Sequence, residues 1–152
     1  KKKLKKYITN HVGLDNFDYI CSVPTSGTIF GAALAYDLFK PHIYVRKIEK
    51  NYGTQKSIEG DLSNNSKVLL IDDVMTTGKS LISSIELLKD RSIIHDILVF
   101  IDREQGYLDT LKKYELKVHR IISINKLFNI LYQNNKIDTL EIEDLKNELE
   151  KT

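Results

Sequence analysis

Five short, mostly apolar runs, "DYICSV", "HIYVRK", "KVLLI", "IIHDILVFI" and "KVHRIISI", recur along the chain with helix-like segments between them. Near-continuous apolar runs of this length suit strands covered on both faces, and strands of that kind belong to parallel sheets. Their alternation with helices predicts an α/β fold, a mostly parallel sheet flanked by helices. "TIFGAALAYDLF" (28–39) reads as a helix whose Ala32, Ala33 and Ala35 allow close approach to a sheet. "GKSLISSIELLKD" reads as another, apolar at 81, 82, 85, 87 and 88. "INKLFNILYQNNK" and "TLEIEDLKNELEK" look like two amphipathic helices closing the chain.

A length of 152 residues suits a single domain, 1–152, with one sizeable core. The formal net charge of +2, with basic residues scattered beyond the opening "KKKLKK", gives no stripe of the kind nucleic acid requires. One cysteine, Cys21, excludes an internal disulfide and suits a reducing compartment. No apolar run approaches the roughly 18 residues of a membrane span. A cytoplasmic protein with no nucleic-acid and no membrane partner is the expectation. His11, His42, His95 and His119 show no metal-site spacing, and no serine, histidine and acid set suggests a hydrolase.

Ligands of open α/β sheets sit beyond the carboxyl ends of the strands. Three unusual segments begin there: "PTSGT", "RKIEKNYGTQK" and "DDVMTTGKS". Residues 47–66 are polar and hold Gly53 and Gly60, a stretch long enough to predict a functional lid. The ending "GKS" invites a nucleoside-triphosphate reading, but the first glycine of that loop would stand at position 73, which is Asp73. A strand end followed by a helix start offers something else. Backbone N–H groups from Thr76 to Ser80, with the hydroxyls of Thr76, Thr77 and Ser80, can surround a phosphate. Asp72 and Asp73 can accept hydrogen bonds from vicinal hydroxyls or hold a hydrated Mg2+. A phosphorylated ribose presents both groups.

On these residues the chain resembles the type I phosphoribosyltransferases. "VLLIDDVMTTGKS" is similar to their phosphoribosyl-pyrophosphate (PRPP) motif, "YVRKIEKNYGTQKSIEGDL" resembles the flexible catalytic loop of orotate phosphoribosyltransferases, and "VFIDREQGY" resembles their orotate-reaching segment. The resemblance covers about Tyr19 to Ile130 and implies the type I phosphoribosyltransferase fold with a long flexible catalytic loop. It implies transfer of ribose 5-phosphate from PRPP to orotate with Mg2+ as cofactor, in pyrimidine biosynthesis. It also implies a homodimer in which each loop serves the neighbouring subunit's site.

Carried onto this sequence, the resemblance makes Lys50 the principal catalytic lysine, with Lys47 and Asp73 beside it. PRPP would be held by Arg46, Lys47, Lys50 and Tyr52, by Ser26 and Gly27, and by Asp72, Asp73, Val74, Met75, Thr76, Thr77, Gly78, Lys79 and Ser80. Orotate would meet Thr76 and Arg103, whose guanidinium suits a planar carboxylate. Mg2+ would travel with PRPP, near Asp72 and Asp73. The chain opens on "KKKLKKYITNHVG", where the family's N-terminal hood should be ending, so the expectation is a reduced or missing hood. Two alternatives stand beside this reading, a non-catalytic PRPP-binding regulator and a phosphoribosyltransferase for another base.

Overall fold

The computed structural model describes residues 2–46, 57–106, 111 and 113–150. Helix α1 (Lys2–His11) is followed by strand β1 (Tyr19–Ser22), α2 (Gly27–Leu38), β2 (His42–Val45) and the short β3 (Ile58–Glu59). Then come β4 (Ser66–Met75), α3 (Lys79–Leu88), β5 (Ser92–Asp102), β6 (Lys117–Ser123), α4 (Ile124–Gln133) and α5 (Thr139–Glu150). The six strands form one sheet in the order β3-β2-β1-β4-β5-β6. Every neighbouring pair is parallel except β2 and β3. The mostly parallel sheet flanked by helices is therefore as expected.

Two apolar clusters cover the two faces of the sheet. On one face α3 buries Leu81, Ile85 and Leu88 against Val68, Leu70, Ile97 and Val99. Their spacing places them along one stripe of the helix, which is why Ile82 and Leu87 are left partly covered. On the other face α1 and α2 bury Ile8, Val12, Leu34 and Leu38 against Ile20, Leu69, Ile71 and Leu98. Each fully buried Leu or Ile contributes about 2 kcal/mol of transfer free energy. Cys21 has no exposed surface, and burial pushes its thiol up to about 12, so it packs as a small apolar residue.

One expectation changes in detail. The polar stretch 47–66 contains a strand: β3 adds an antiparallel edge to β2 through Ile58 and Glu59, and Ile58 and Leu62 are buried. The lid expectation is thereby confined to 47–56, which lies outside the described residues. The two closing helices form as read. At the start of α5 the N–H of Asp138 donates to the Glu141 carboxylate and the N–H of Glu141 to the Asp138 carboxylate, each at 2.8 Å, a reciprocal cap. Leu140 on α5 nevertheless stays 70% exposed. Among the described residues no helix is long and apolar enough to cross a membrane.

Candidate functional site

The strand order puts a reversal of direction in the middle of the sheet. From β1 the chain proceeds through α2 to β2 on one side, and from β4 through α3 to β5 on the other. The loops that leave β1 and β4 therefore diverge, opening a crevice beyond the carboxyl ends of two adjacent strands. Strand β1 pairs with β4 only as far as Ser22 opposite Ile71, while β4 runs on to Met75 beside β5.

This extension corrects the sequence reading of the two acids. Asp72 and Asp73 do not follow the strand; they lie within β4, past the end of β1. The loop from β1 fills the place where that neighbour would have been. A Cβ at Gly27 would stand 3.2 Å from both the Oδ1 of Asp72 and the carbonyl oxygen of Ile71. Glycine at this position lets the two loops touch.

Asp72 is 7% exposed and accepts the N–H of Asp73 at 2.9 Å. Burial first, and then the neighbouring Asp73 carboxyl, push its pKa up to about 7. The sign of the linkage follows: the folded state holds a proton that the unfolded chain releases near pH 4, so stability falls as pH rises from about 4 to 7. Asp72→Asn should therefore raise the melting temperature at pH 8, on the order of 5 °C, and leave it little changed at pH 4. Thermal melts of both proteins at the two pH values check this; equal gains at both would remove Asp72 as the titrating group.

The next turn is built for an anion. Gly78 stands before the first residue of α3 with φ +75°, in the left-handed region that favours glycine. No side chain caps α3 and no acid lies in its first turn, and α2 shares both properties behind Ser26. Two helix N-termini without a side-chain cap thus open beside the same crevice. Thr77, Lys79 and Ser80 are exposed there, and Asp72, Val74 and Thr76 to Leu81 enclose a hollow of about 40 Å³.

Arg46 follows β2, with its N–H on the Ser57 carbonyl at 2.9 Å and its guanidinium 2.7 Å from Glu59. It shares with Val23, Pro24, Ser80 and Ile82 the lining of a larger cavity of about 760 Å³. Ser26, Gly27 and the whole run Asp72 to Ser80 are thus gathered at the switch in strand order, with Arg46 beside them. Lys47, Lys50 and Tyr52 lie outside the described residues.

Arg103 follows β5, and its N–H donates to the Met75 carbonyl at 2.9 Å, which ties it to the end of β4. Its guanidinium does not point into the crevice as read from the sequence. It donates at 3.2 Å to the carbonyl of Leu149 in the last turn of α5, where Gln105 donates to the same oxygen. The negative end of the helix dipole attracts the cation there. The acids flanking Arg103 pair with Arg120, at 2.7 Å to Asp102 and 3.1 Å to Glu104. Sequence reasoning missed Arg120; the only signal was a charge interrupting the apolar run "KVHRIISI".

A mostly parallel sheet that reverses at its centre, two uncapped helix starts and two acids beside them define a class: an α/β domain with a crevice suited to an anion at its switch point. Residues 1–135 match the phosphoribosyl transferase domain family, and the chain belongs to it. It is 39% identical over 115 residues to the orotate phosphoribosyltransferase of Cenarchaeum symbiosum, covering 75% of this chain and 58% of that one. The chain thus spans less than two thirds of that relative's length. The crystal structure of orotate phosphoribosyltransferase from Aeropyrum pernix superposes with a TM-score of 0.75 at 28% identity, covering 90% of this chain and 77% of that chain. Leishmania donovani UMP synthase shares the fold with a TM-score of 0.81 at 22% identity, covering 99% of this chain and 33% of the other.

Proposed function

We propose that the protein is an orotate phosphoribosyltransferase, which breaks the bond from ribose C1 to pyrophosphate in PRPP and joins C1 to N1 of orotate. The products are orotidine 5'-monophosphate and pyrophosphate, a step of UMP synthesis. The observation that carries this reading is the meeting of Gly27 with Asp72 at the reversal of strand order, which sets the loops after β1 and β4 around one crevice. The likeness to archaeal orotate phosphoribosyltransferases supports the choice of base.

Each group has a role that its position allows. The N–H groups and hydroxyls of Thr76, Thr77, Gly78, Lys79 and Ser80 would hold the 5-phosphate. Asp72 and Asp73 would accept from the ribose hydroxyls. Ser26 and Gly27 would face the pyrophosphate, with Lys47 and Lys50 closing over it and Asp73 near the reacting carbon. Positive charge develops on the sugar as the bond lengthens, so in-line placement of the base and stabilisation of the leaving group supply most of the acceleration. Arg103 would turn from the Leu149 carbonyl to the orotate carboxylate, which is the stronger acceptor.

Among the described residues no three His, Cys, Asp or Glu side chains gather. Two adjacent carboxylates nonetheless fit Mg2+, which keeps its waters and is otherwise held by substrate phosphates. Bound so, the ion supplies charge neutralisation on the pyrophosphate. Exposed Ile29, Tyr36 and Phe39, at 73%, 78% and 91%, offer apolar surface of the kind homodimers bury, which supports a dimer. A single cytoplasmic phosphoribosyltransferase domain completes the reading.

The test is pyrophosphate release from PRPP and Mg2+ with orotate, uracil, hypoxanthine or no base. Release that needs orotate supports the reading. Release with another base instead of orotate overturns the choice of base, and PRPP binding with no release for any base points to a regulator.

A further inference from the structure

The segment that carries Arg103 is clamped by residues for which the phosphate and ribose site has no use. Glu104 has φ +56°, a left-handed conformation uncommon for a residue with a long side chain. Three hydrogen bonds hold it there. Its N–H donates to the Oδ1 of Asp102 at 2.8 Å, its Oε1 accepts from the Nη1 of Arg120 at 3.1 Å, and its Oε2 accepts from the Nδ2 of Asn125 at 2.7 Å. The same Arg120 nitrogen donates at 2.7 Å to the Oδ2 of Asp102, which has no exposed surface. The backbone of Arg120 is itself fastened, since its carbonyl accepts the Tyr7 hydroxyl at 2.8 Å.

Arg103 sits between the two clamped acids, with its own N–H on the Met75 carbonyl one residue before Thr76. The direction in which its side chain leaves the backbone is therefore set by Arg120 of β6 and Asn125 of α4. A turn held in an unfavourable conformation by surrounding bonds is found at ligand clamps, where a displacement of about 1 Å costs heavily in binding or rate. Asp102 and Glu104 share Arg120 as a cation.

We propose that Arg120 and Asn125 are positioning residues for the base: through Asp102 and Glu104 they aim Arg103, and so set affinity for the base carboxylate while leaving PRPP binding to the loop after β4. The inference rests on the reading of Arg103 as the partner of orotate.

Steady-state kinetics of the full chain separate the two claims. Arg120→Gln should raise KM for orotate about 10-fold and Asn125→Ala about 3-fold to 5-fold, with KM for PRPP and kcat within about 2-fold. Arg120→Lys should fall between, since an ammonium keeps the charge but not the planar, fixed geometry of the guanidinium. Arg103→Ala serves as the reference. If it leaves KM for orotate unchanged, the reading of Arg103 fails and takes the inference with it. If it raises that KM while Asn125→Ala and Arg120→Lys do not, the positioning role alone is overturned. Equal losses in kcat and in both KM values would mark the clamp as structural and overturn it too. Asn125→Ala keeps the Arg120 pair with buried Asp102, so it provides a folded variant even where Arg120→Gln melts.

Discussion

Replacing Lys50 by alanine should lower turnover by about 10²-fold to 10³-fold while changing PRPP affinity only a few fold, the pattern of a group that acts in the transition state. The charge balance of the described site is the reason. Around the crevice stand backbone N–H groups, hydroxyls, Asp72, Asp73, the exposed Lys79, and an Arg46 paired with Glu59 at 2.7 Å. A leaving pyrophosphate carries several negative charges, and this set of neutral donors and few cations does not balance them. Lys47, Lys50 and Lys56, in the segment after β2, are the cations that the proposed reading brings to it. Single-turnover and steady-state rates with orotate check the expectation, beside PRPP binding measured by calorimetry. Turnover unchanged in the variant would remove Lys50 from the chemistry.

Gly31→Ala should lower stability by about 3 kcal/mol and the melting temperature by about 10 °C. Helix α2 lies so close to β1 that a Cβ at Gly31 would stand 1.8 Å from the Oγ of Ser22 and 3.1 Å from the Nε2 of His42. Ser22 has no exposed surface and holds His42 at 2.7 Å, so its hydroxyl can move only by giving up that bond in a closed site. Ser22→Ala in the same chain should recover part of the loss, because the nearest remaining atoms would be 3.1–3.2 Å away. Melting curves of the three proteins decide it; a single variant that melts within about 2 °C of the parent would show that the helix yields. Gly27, where a Cβ would stand 3.2 Å from the Oδ1 of Asp72, opens the same helix.

Much of the architecture was legible because its signals are local. Apolar runs marked five of the strands, and the small residues of "TIFGAALAYDLF" marked a helix pressed on a sheet. The strand β3 was not legible: two residues carry no period, and Ile58 and Glu59 become a strand only because β2 lies beside them. The extent of β4 was misjudged for a related reason. Asp72 and Asp73 look like the end of a strand by composition, yet Val99 to Asp102 of β5 pair alongside and carry the strand on to Met75. Arg103 could be singled out from the chain, and the direction its side chain takes could not. Nothing near it in the chain announces the Leu149 carbonyl, 46 residues on.

"DDVMTTGKS" and "PTSGT" could be read from the chain as segments suited to a phosphorylated sugar because glycine turns, hydroxyls and paired acids express their chemistry over a few residues. The meeting of those two segments at the boundary of β1 and β4, the raised pKa of Asp72 and the clamp of Arg120 on Asp102 and Glu104 are of another kind. They arise from strand order, burial and contacts between residues far apart in the chain, none of which leaves a periodic or compositional trace. Local chemistry names the ligand a segment suits; long-range packing sets which segments share it and what charge they carry.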